Sequence, residues 1–258
     1  MAIITGVFES RAEAEQVVNE LRAANIKAEH IGLLTPEMKE EELEARAHVT
    51  DSERPGLGKA MGAVVGGAMG VASGATLGAA AASLAVPGVG PVIAAGVLAG
   101  AVLGAAGVAT GAIVGEAAEQ ALGEGLPHED LFVYEDALRK GRSVVVSFVD
   151  SDEDRVRDIM RRHGSLDVDE LRENWWKERR NDERTAYQTQ GGDFERDEEN
   201  YRRGFQAALH PKRRGKPFEE VQQELRNSHS EAELDSAFRQ GYERGRRYQV
   251  TVVEIYKA

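Results

Sequence analysis

The chain has 258 residues with 44 acidic and 32 basic side chains, which gives a formal net charge of −12, and it contains no cysteine. Its length suits one or two domains. The lack of cysteine excludes disulfides, thiolate nucleophiles, iron–sulfur clusters and zinc–thiolate sites. The acidic balance argues against bulk nucleic-acid binding. Because the first ten residues have neither a basic region nor a small-residue cleavage site, we expect a protein that is not secreted.

The N-terminal residues predict a strand, a helix and a second strand. Residues 2–8 form the first predicted strand, and Ser10 with Glu13 has the S-x-x-E form of a helix capping box. A second strand is predicted over residues 28–34, ended by Thr35-Pro36. Between the strands, apolar residues recur at helical spacing. These residues are Ala14, Val17, Val18, Leu21 and Ala24.

A similar strand–helix–strand pattern returns downstream. Residues 143–149 are a β-branched run, Ser151 caps a predicted helix that Gly164 closes, and residues 166–168 form a short predicted strand. The similar lengths of the two halves indicate an internal duplication. Two such units usually fold as one split-βαβ, ferredoxin-like domain. The alternative is two separate βαβ pieces, and a piece of about 30 residues is too small to stabilise itself.

The segment between the halves, residues 60–115, contains no charged residue and is mostly Gly and Ala. We predict a hairpin of two helices of about 25 residues, each long enough to cross a bilayer. Glycine at four-residue spacing lets helix backbones approach closely. The predicted helix-packing and oligomerisation residues are Gly58, Gly62, Gly66, Gly70, Gly74, Gly78, Gly96, Gly100, Gly104, Gly107, Gly111 and Gly115, and the predicted hairpin turn is Pro87, Gly88, Gly90 and Pro91.

Such a hairpin has no polar face, so lipid or other protein must cover it. Basic residues near its ends fit membrane insertion with both ends in the cytoplasm. Against this, the segment contains no aromatic residue, which favours packing against copies of the same chain. A hairpin that moves between the two environments is the third alternative. The basic residues near its ends are Arg54, Lys59, Arg139, Lys140 and Arg142.

Four motifs follow one another along the chain: the turn at residues 87–91, Gly-Leu-Pro-x-Glu-Asp at 125–130, Tyr-Glu-Asp-Ala-Leu-Arg-Lys-Gly at 134–141 and Ile-Met-Arg-Arg-His-Gly at 159–164. With the elements described above, their order resembles the bacterial general-stress, heat-induced stress protein family. It covers about residues 1–170. It implies a ferredoxin-like domain with an inserted glycine-zipper hairpin in a stress-related setting, and it supplies no catalytic residues.

From residue 171 onward the chain is highly charged but nearly neutral, with aromatic residues at intervals. Residues 201–205 and 238–242 share the form aromatic-Arg-x-Gly-aromatic, which local packing of short helices explains better than stacking on nucleic-acid bases. Pro217 starts a predicted helix. Residues 248–256 predict a strand that adds to a sheet edge or pairs with a neighbouring subunit. Tails of this kind are similar to those of some bacterial stress-domain proteins.

The few residues that could carry chemistry fit structural roles better. Gly58-Lys59 lacks the four-residue gap and the Ser or Thr of a phosphate-binding loop. Residues 128–130, His-Glu-Asp, fit a helix start better than a metal site, and we expect Trp175-Trp176 to be partly buried rather than to anchor at a membrane interface. We therefore expect no catalytic, cofactor-binding or metal site, and no nucleic-acid or identified small-molecule partner.

The sequence thus predicts an α+β chain in four parts. Residues 1–55 and 124–170 form the split βαβ, ferredoxin-like domain, 56–123 the Ala/Gly-rich helical hairpin, and 171–258 a mainly helical region that ends in a strand. We expect a non-enzymatic stress-related protein that forms homo-oligomers through the hairpin and lies on the cytoplasmic side of the inner membrane, with the lipid bilayer as a partner. The alternative is a soluble self-assembling ring, shell or filament in the cytoplasm, with the hairpins as its core.

Overall fold

A computed structural model describes residues 2–36, 81–86, 89–96, 113–114, 127–227, 230 and 233–255. The fold is mixed α and β. The chain divides into two compact units: unit 1 comprises Met1–Leu126 and Ala137–Asp167, and unit 2 comprises Pro127–Asp136 and Val168–Ala258.

The described part of unit 1 is built on one sheet. Its strands are β1 (Ala2–Phe8), β2 (Ile31–Pro36), β3 (Ala81–Val86), β4 (Gly90–Gly96), β5 (Ile113–Val114) and β6 (Ser143–Val149), in the order β1-β6-β2-β4-β3-β5. Helix α1 (Arg11–Ala23) links β1 to β2, and α3 (Glu153–Arg162) follows β6. The boundary between the units falls within α2 (Leu131–Arg139), after Asp136. Neighbouring strands are antiparallel, except that β3 and β5 are parallel.

The local signals for α1 are confirmed. Glu13 N donates to Ser10 Oγ and Ser10 N donates to the Glu13 carboxylate, so the predicted capping box is present. The predicted apolar face packs on β1, β2, β6 and α3 in a mainly aliphatic core. The core residues are Ile4, Phe8, Ala14, Val17, Val18, Leu21, Ile31, Leu33, Val145, Val149, Val156, Ile159 and Met160.

The second half of the predicted duplication differs from the first. Helix α3 begins at Glu153 after Asp152, whose φ is 64° and whose side chain makes no capping bond, so the prediction of Ser151 as the cap is wrong. The predicted strand 166–168 is reduced to one antiparallel bridge, in which Leu166 N donates to Val7 O at 2.8 Å. The next helix starts at Val168, with acidic residues in its first turn that favour a helix N-terminus.

The predicted helices are wrong for the described residues of the Ala/Gly-rich segment. Residues 81–86, 90–96 and 113–114 are the strands β3, β4 and β5. Val92 and Ala94 of β4 are fully buried, and they pair in register with Pro36 and Leu34 of β2. Pairing within the sheet satisfies the backbone hydrogen-bonding groups of β4. In a helix, each interior glycine would instead lower the stability by about 1 kcal/mol relative to alanine.

The described part of unit 2 is helical. It contains the first part of α2, then α4 (Val168–Thr189), α5 (Phe194–Ala208), α6 (Phe218–Leu225) and α7 (Ser236–Ile255), with short 3₁₀ turns at His128–Asp130 and Pro211–Arg213. The predicted helix start at Pro217 is confirmed, because Pro217 is the N-cap of α6 and Val221 and Leu225 are buried.

The predicted C-terminal strand is wrong. Residues 248–255 are the last two turns of α7. β-Branched residues favour strands in isolation. In α7, however, Gly241, Gly245 and Tyr248 follow one another at helical spacing, and all three pack against α5 or its neighbours. The packing of that face outweighs the local strand preference of the residues that follow.

Candidate helix-packing site

Helices α5 and α7 cross with their backbones in contact. A β-carbon at Gly204 of α5 would lie 1.9 Å from the carbonyl oxygen of Phe238. A β-carbon at Gly241 of α7 would lie 1.9 Å from the carbonyl oxygen of Tyr201, and one at Gly245 would lie 2.4 Å from that of Phe205. Because any larger side chain would collide with backbone at these three positions, the crossing requires glycine.

The crossing explains the repeated aromatic-Arg-x-Gly-aromatic motif. The glycine of each motif contacts the carbonyl of the first aromatic residue of the other motif, so the two repeats form one reciprocal contact. Their aromatic side chains are all buried. The motif thus serves packing, as predicted, but the predicted local packing of short helices is wrong, because the contact joins helices of 15 and 20 residues that are distant in sequence. These aromatic residues are Tyr201, Phe205, Phe238 and Tyr242.

A buried carboxylate lies beside this crossing. Glu183 of α4 is 5% exposed, and it accepts a hydrogen bond from the hydroxyl of Tyr201 at 2.8 Å. Arg244 Nε of α7 donates to both of its carboxylate oxygens, at 2.8 and 3.1 Å. The bond to Glu183 raises the pKa of Arg244, and burial together with the same carboxylate raises the pKa of Tyr201. Glu183 thereby links α4, α5 and α7.

A second carboxylate is held between α4 and α5. Arg180 makes a bidentate contact with Glu198, at 2.7 and 2.5 Å, and the indole nitrogen of Trp176 donates to Glu198 at 2.9 Å. The hydrogen bond from Arg180 lowers the pKa of Glu198. Both tryptophans are buried, which confirms that they pack within the protein. Bidentate guanidinium–carboxylate pairs fix relative orientation as well as adding energy.

Arg179 of α4 is held among aromatic rings. Its guanidinium carbon lies 4.2 Å from the ring centroid of Trp175 and 5.2 Å from that of Tyr248. It also donates to the Tyr248 hydroxyl at 2.9 Å and to the backbone oxygen of Trp175 at 2.7 Å. The guanidinium of Arg179 therefore joins α4 to α7 through cation–π contacts.

In unit 1, a smaller polar group joins the C-terminus of α3 to α1. His163 Nε2 lies 2.5 Å from Glu20 Oε2, and Arg162 donates to Glu20 Oε1 at 2.7 Å. The hydrogen bond with His163 is the main cause that lowers the pKa of Glu20. His163 is the C-cap of α3, and Gly164 after it has φ +78°, as the predicted helix stop requires.

The predicted glycine site is only partly within the described residues. Gly90, Pro91 and Gly96 belong to β4, so Gly96 is not a helix-packing residue. The chain reverses between β3 and β4, which pair antiparallel with Val86 opposite Gly90, but Gly90 and Pro91 of the predicted turn lie in β4, and Pro87 and Gly88 lie outside the described residues. The remaining predicted positions lie outside the described residues. They are Gly58, Gly62, Gly66, Gly70, Gly74, Gly78, Pro87, Gly88, Gly100, Gly104, Gly107, Gly111 and Gly115.

Sequence reasoning missed the part played by Glu183. A signal was present, because Trp176, Glu183 and Tyr187 are spaced seven and four residues apart, so a carboxylate occupies a position on the buried stripe of α4. A charged residue in such a stripe is expected to have a buried partner.

Comparison with known proteins gives no match to any family model, curated protein or solved structure. Among the described residues, no helix is both long and apolar enough to cross a membrane. Within those same ranges, no cluster of three or more His, Asp or Glu side chains is arranged to hold a metal ion.

Proposed function

We propose that this chain is a non-enzymatic, self-associating protein that assembles with copies of itself through its Ala/Gly-rich segment. The observation that carries the proposal is the full burial of Val92 and Ala94 in β4, in register with β2. Residues of the uncharged segment thus take part in a protein sheet. At these residues the burial supports a protein covering over a lipid one, and the proposal extends such a covering to the rest of the segment as an assembly of copies in the cytoplasm.

Strand β3 offers a place for such assembly, because the outermost strand β5 covers only part of its outer side among the described residues. Its sequence is Ala-Ala-Ser-Leu-Ala-Val, without charge or proline, and β5 pairs with it at Leu84 and Ala85. An uncharged strand whose backbone groups are incompletely paired is a template for pairing with another chain. Assembly of copies along this strand would cover the uncharged segment, as its composition requires.

The polar groups of unit 2 support a structural role for that unit. Glu183 and Glu198 are each occupied by an arginine of the same unit, and Arg179 stacks on that unit's own aromatic rings. Groups engaged in this way hold helices together and are not available to phosphates or nucleic-acid bases.

A ferredoxin-like arrangement within unit 1 belongs to the same proposal. Strand β6 lies between β1 and β2 and is antiparallel to both, and the bridge from Leu166 pairs with the other side of β1. That order corresponds to two split βαβ units with a much shortened last strand. The stress-related setting rests on the family resemblance of residues 1–170.

The test compares Ser83→Lys in β3 with Gln16→Lys, a matched control on the exposed face of α1. In the detergent-free supernatant, light scattering should give the wild type a mass well above 28.0 kDa. The β3 variant should lose mass because strands carrying like charges repel, while the control should keep it.

Two results would overturn the proposal. One is an unchanged mass for Ser83→Lys, provided that circular dichroism confirms that the variant is folded. The other is wild-type protein that remains in the membrane pellet after an alkaline carbonate wash and is released only by detergent. The second result would instead support the lipid-inserted alternative.

A further inference from the structure

The first strand, β1, is the edge of the sheet opposite to β3 and β5. All seven of its residues, Ala-Ile-Ile-Thr-Gly-Val-Phe, are uncharged, and their register with β6 is unbroken from Ala2 to Phe8. Native proteins usually protect such an edge with a charge, a proline or a bulge. Strand β1 has none of these, in a chain of which 29% is charged.

The one backbone hydrogen bond that the described residues make on the outer side of β1 fixes the orientation of its backbone groups. Leu166 N donates to Val7 O, so the carbonyl of Val7 points away from β6. In an antiparallel strand the N–H and C=O of one residue point to the same side, and this side alternates along the chain. The N–H and C=O groups of Ile3 and Thr5 therefore also point outward. Within the described ranges, no backbone hydrogen bond uses them.

We infer that two copies of this chain pair their β1 strands antiparallel about a two-fold axis at Ile4, which joins the two sheets into one. In this register, Ile3 of one copy lies opposite Thr5 of the other, and each such pair exchanges two N–H···O bonds. All four outward groups of each copy are then satisfied. The bridge of Leu166 to Val7 limits the ladder to residues 2–6.

The chemistry of the strand favours a second copy as the occupant. In an isologous contact, the same surface of each copy faces that of the other. A strand that pairs with its own copy must therefore place no like charges opposite each other. Strand β1 meets this condition. Ile3 is 40% exposed, one of two large apolar side chains exposed in the described part of the chain. In the proposed register it packs on the β-branched side chain of Thr5 from the other copy.

The first experiment is Ile3→Pro, with Ile3→Val as the matched control. Proline removes the outward N–H, which β6 does not use, so the fold tolerates the change while the intermolecular ladder does not. Light scattering should give the proline variant at most half the particle mass of the wild type, and the valine variant the full mass. An unchanged mass for folded Ile3→Pro overturns the inference.

A second measurement uses the cysteine-free background of the chain. A mixture of Ile3→Cys and Thr5→Cys chains, treated with a short bifunctional thiol reagent, should give linked dimers faster than Gln16→Cys chains do. Equal linking at the helix position would contradict the register. This inference does not depend on the proposed function: Ser83→Lys should leave the β1-linked dimer intact, and Ile3→Pro should leave association through β3 intact.

Discussion

The two units bury different kinds of side chain and hold them in different ways. The core of unit 1 between the sheet, α1 and α3 is aliphatic, with Phe8 as its one aromatic ring. The cores of unit 2 are dominated by aromatic residues, and the hydroxyls of Tyr187 and Tyr201 and the indole nitrogen of Trp176 donate to carboxylates. In unit 1, aliphatic side chains fill the space between the helices and the sheet. In unit 2, aromatic side chains, several of which carry a polar atom, fill the space between the helices.

The units also differ in how they could be followed by spectroscopy. Both tryptophans and all six tyrosines fall within the residue ranges of unit 2. Tryptophan fluorescence and tyrosine absorbance therefore report on unit 2 alone, while circular dichroism reports on both units. This separation allows each prediction below to be assigned to one unit.

The largest effect is expected for Trp175→Ala in unit 2. Trp175 is 1% exposed, and its ring centroid lies 4.7 Å from that of Phe132 and 5.9 Å from that of Phe205. Loss of the ring should lower the free energy of unfolding of unit 2 by about 3–5 kcal/mol, measured by urea denaturation and Trp176 fluorescence. Val250→Ala, at a position that is 52% exposed, is the control and should change it by less than about 0.5 kcal/mol. A small change in the free energy of unfolding for Trp175→Ala would contradict the packing of Trp175 in the aromatic core of unit 2.

Gly204→Ala should have the next largest effect. Alanine is the better helix former by about 1 kcal/mol, but its β-carbon would meet the Phe238 carbonyl, so the two helices must separate. Overpacking of this kind costs about 1–3 kcal/mol, and denaturant unfolding measures it. Arg203→Ala, on the exposed side of the same helix, should be nearly neutral. Stabilisation by Gly204→Ala would show that the crossing is looser than described.

The third prediction concerns alkaline pH. Burial raises the pKa of Tyr187 and of Tyr242 to about 12, from 10.0. A pKa that is higher in the folded state adds stability that is complete below pH 10 and is lost as the pH rises from about 10 to 12. Unit 2 should therefore lose stability over this range, and absorbance near 295 nm should show late ionisation of these tyrosines. Ordinary ionisation near pH 10 of every tyrosine, in protein that remains folded, would refute the prediction.

The smallest effect is expected in unit 1, for Ser10→Ala. The serine hydroxyl accepts from Glu13 N at 3.3 Å in the capping box of α1. Loss of this cap typically costs about 1 kcal/mol, measured by thermal unfolding followed by circular dichroism. Ser10→Asp should retain most of the stability because aspartate also caps helices. Equal losses in both variants would mean that the cap contributes nothing.

The parts of the fold with one clear local signal were predictable from the sequence. The strand at 143–149 and the Ser10 cap each combine a distinct period or motif with a clear boundary, and both are confirmed. Strands β3 and β4 were not predictable, because Ala and Gly by themselves mark neither helix nor strand. The hydrogen bonds that make these segments strands come from pairing of β4 with β2 and of β3 with β4. The last turns of α7 were not predictable either, since the packing of Gly241 and Gly245 on α5 stabilises the helix and outweighs the strand preference of the β-branched residues that follow.

The candidate helix-packing site was likewise predictable only in part from the sequence. The repeated aromatic-Arg-x-Gly-aromatic motif is visible in the sequence, and its packing role follows from the residue types. The reciprocal contact of Gly204 and Gly241 with each other's motif depends on a long-range crossing that no local pattern encodes. The bonds from Tyr201 and Arg244 to Glu183 join residues 18 and 61 positions away, so only the folded chain brings these groups together.

The chain passes from unit 1 into unit 2 at Pro127, back into unit 1 at Ala137 and into unit 2 again at Val168. During synthesis on the ribosome, Phe132 is therefore made before its partner Trp175, and the α5–α7 crossing cannot close until α7 has emerged. Until then the aromatic residues of unit 2 lack part of their packing, and transiently exposed apolar surface of this kind favours aggregation of incomplete chains. A fragment beginning at Val168 would lack Asp130 and Phe132, which pair with Arg172 and Trp175. The smallest piece that can be expected to fold as unit 2 thus begins near residue 127.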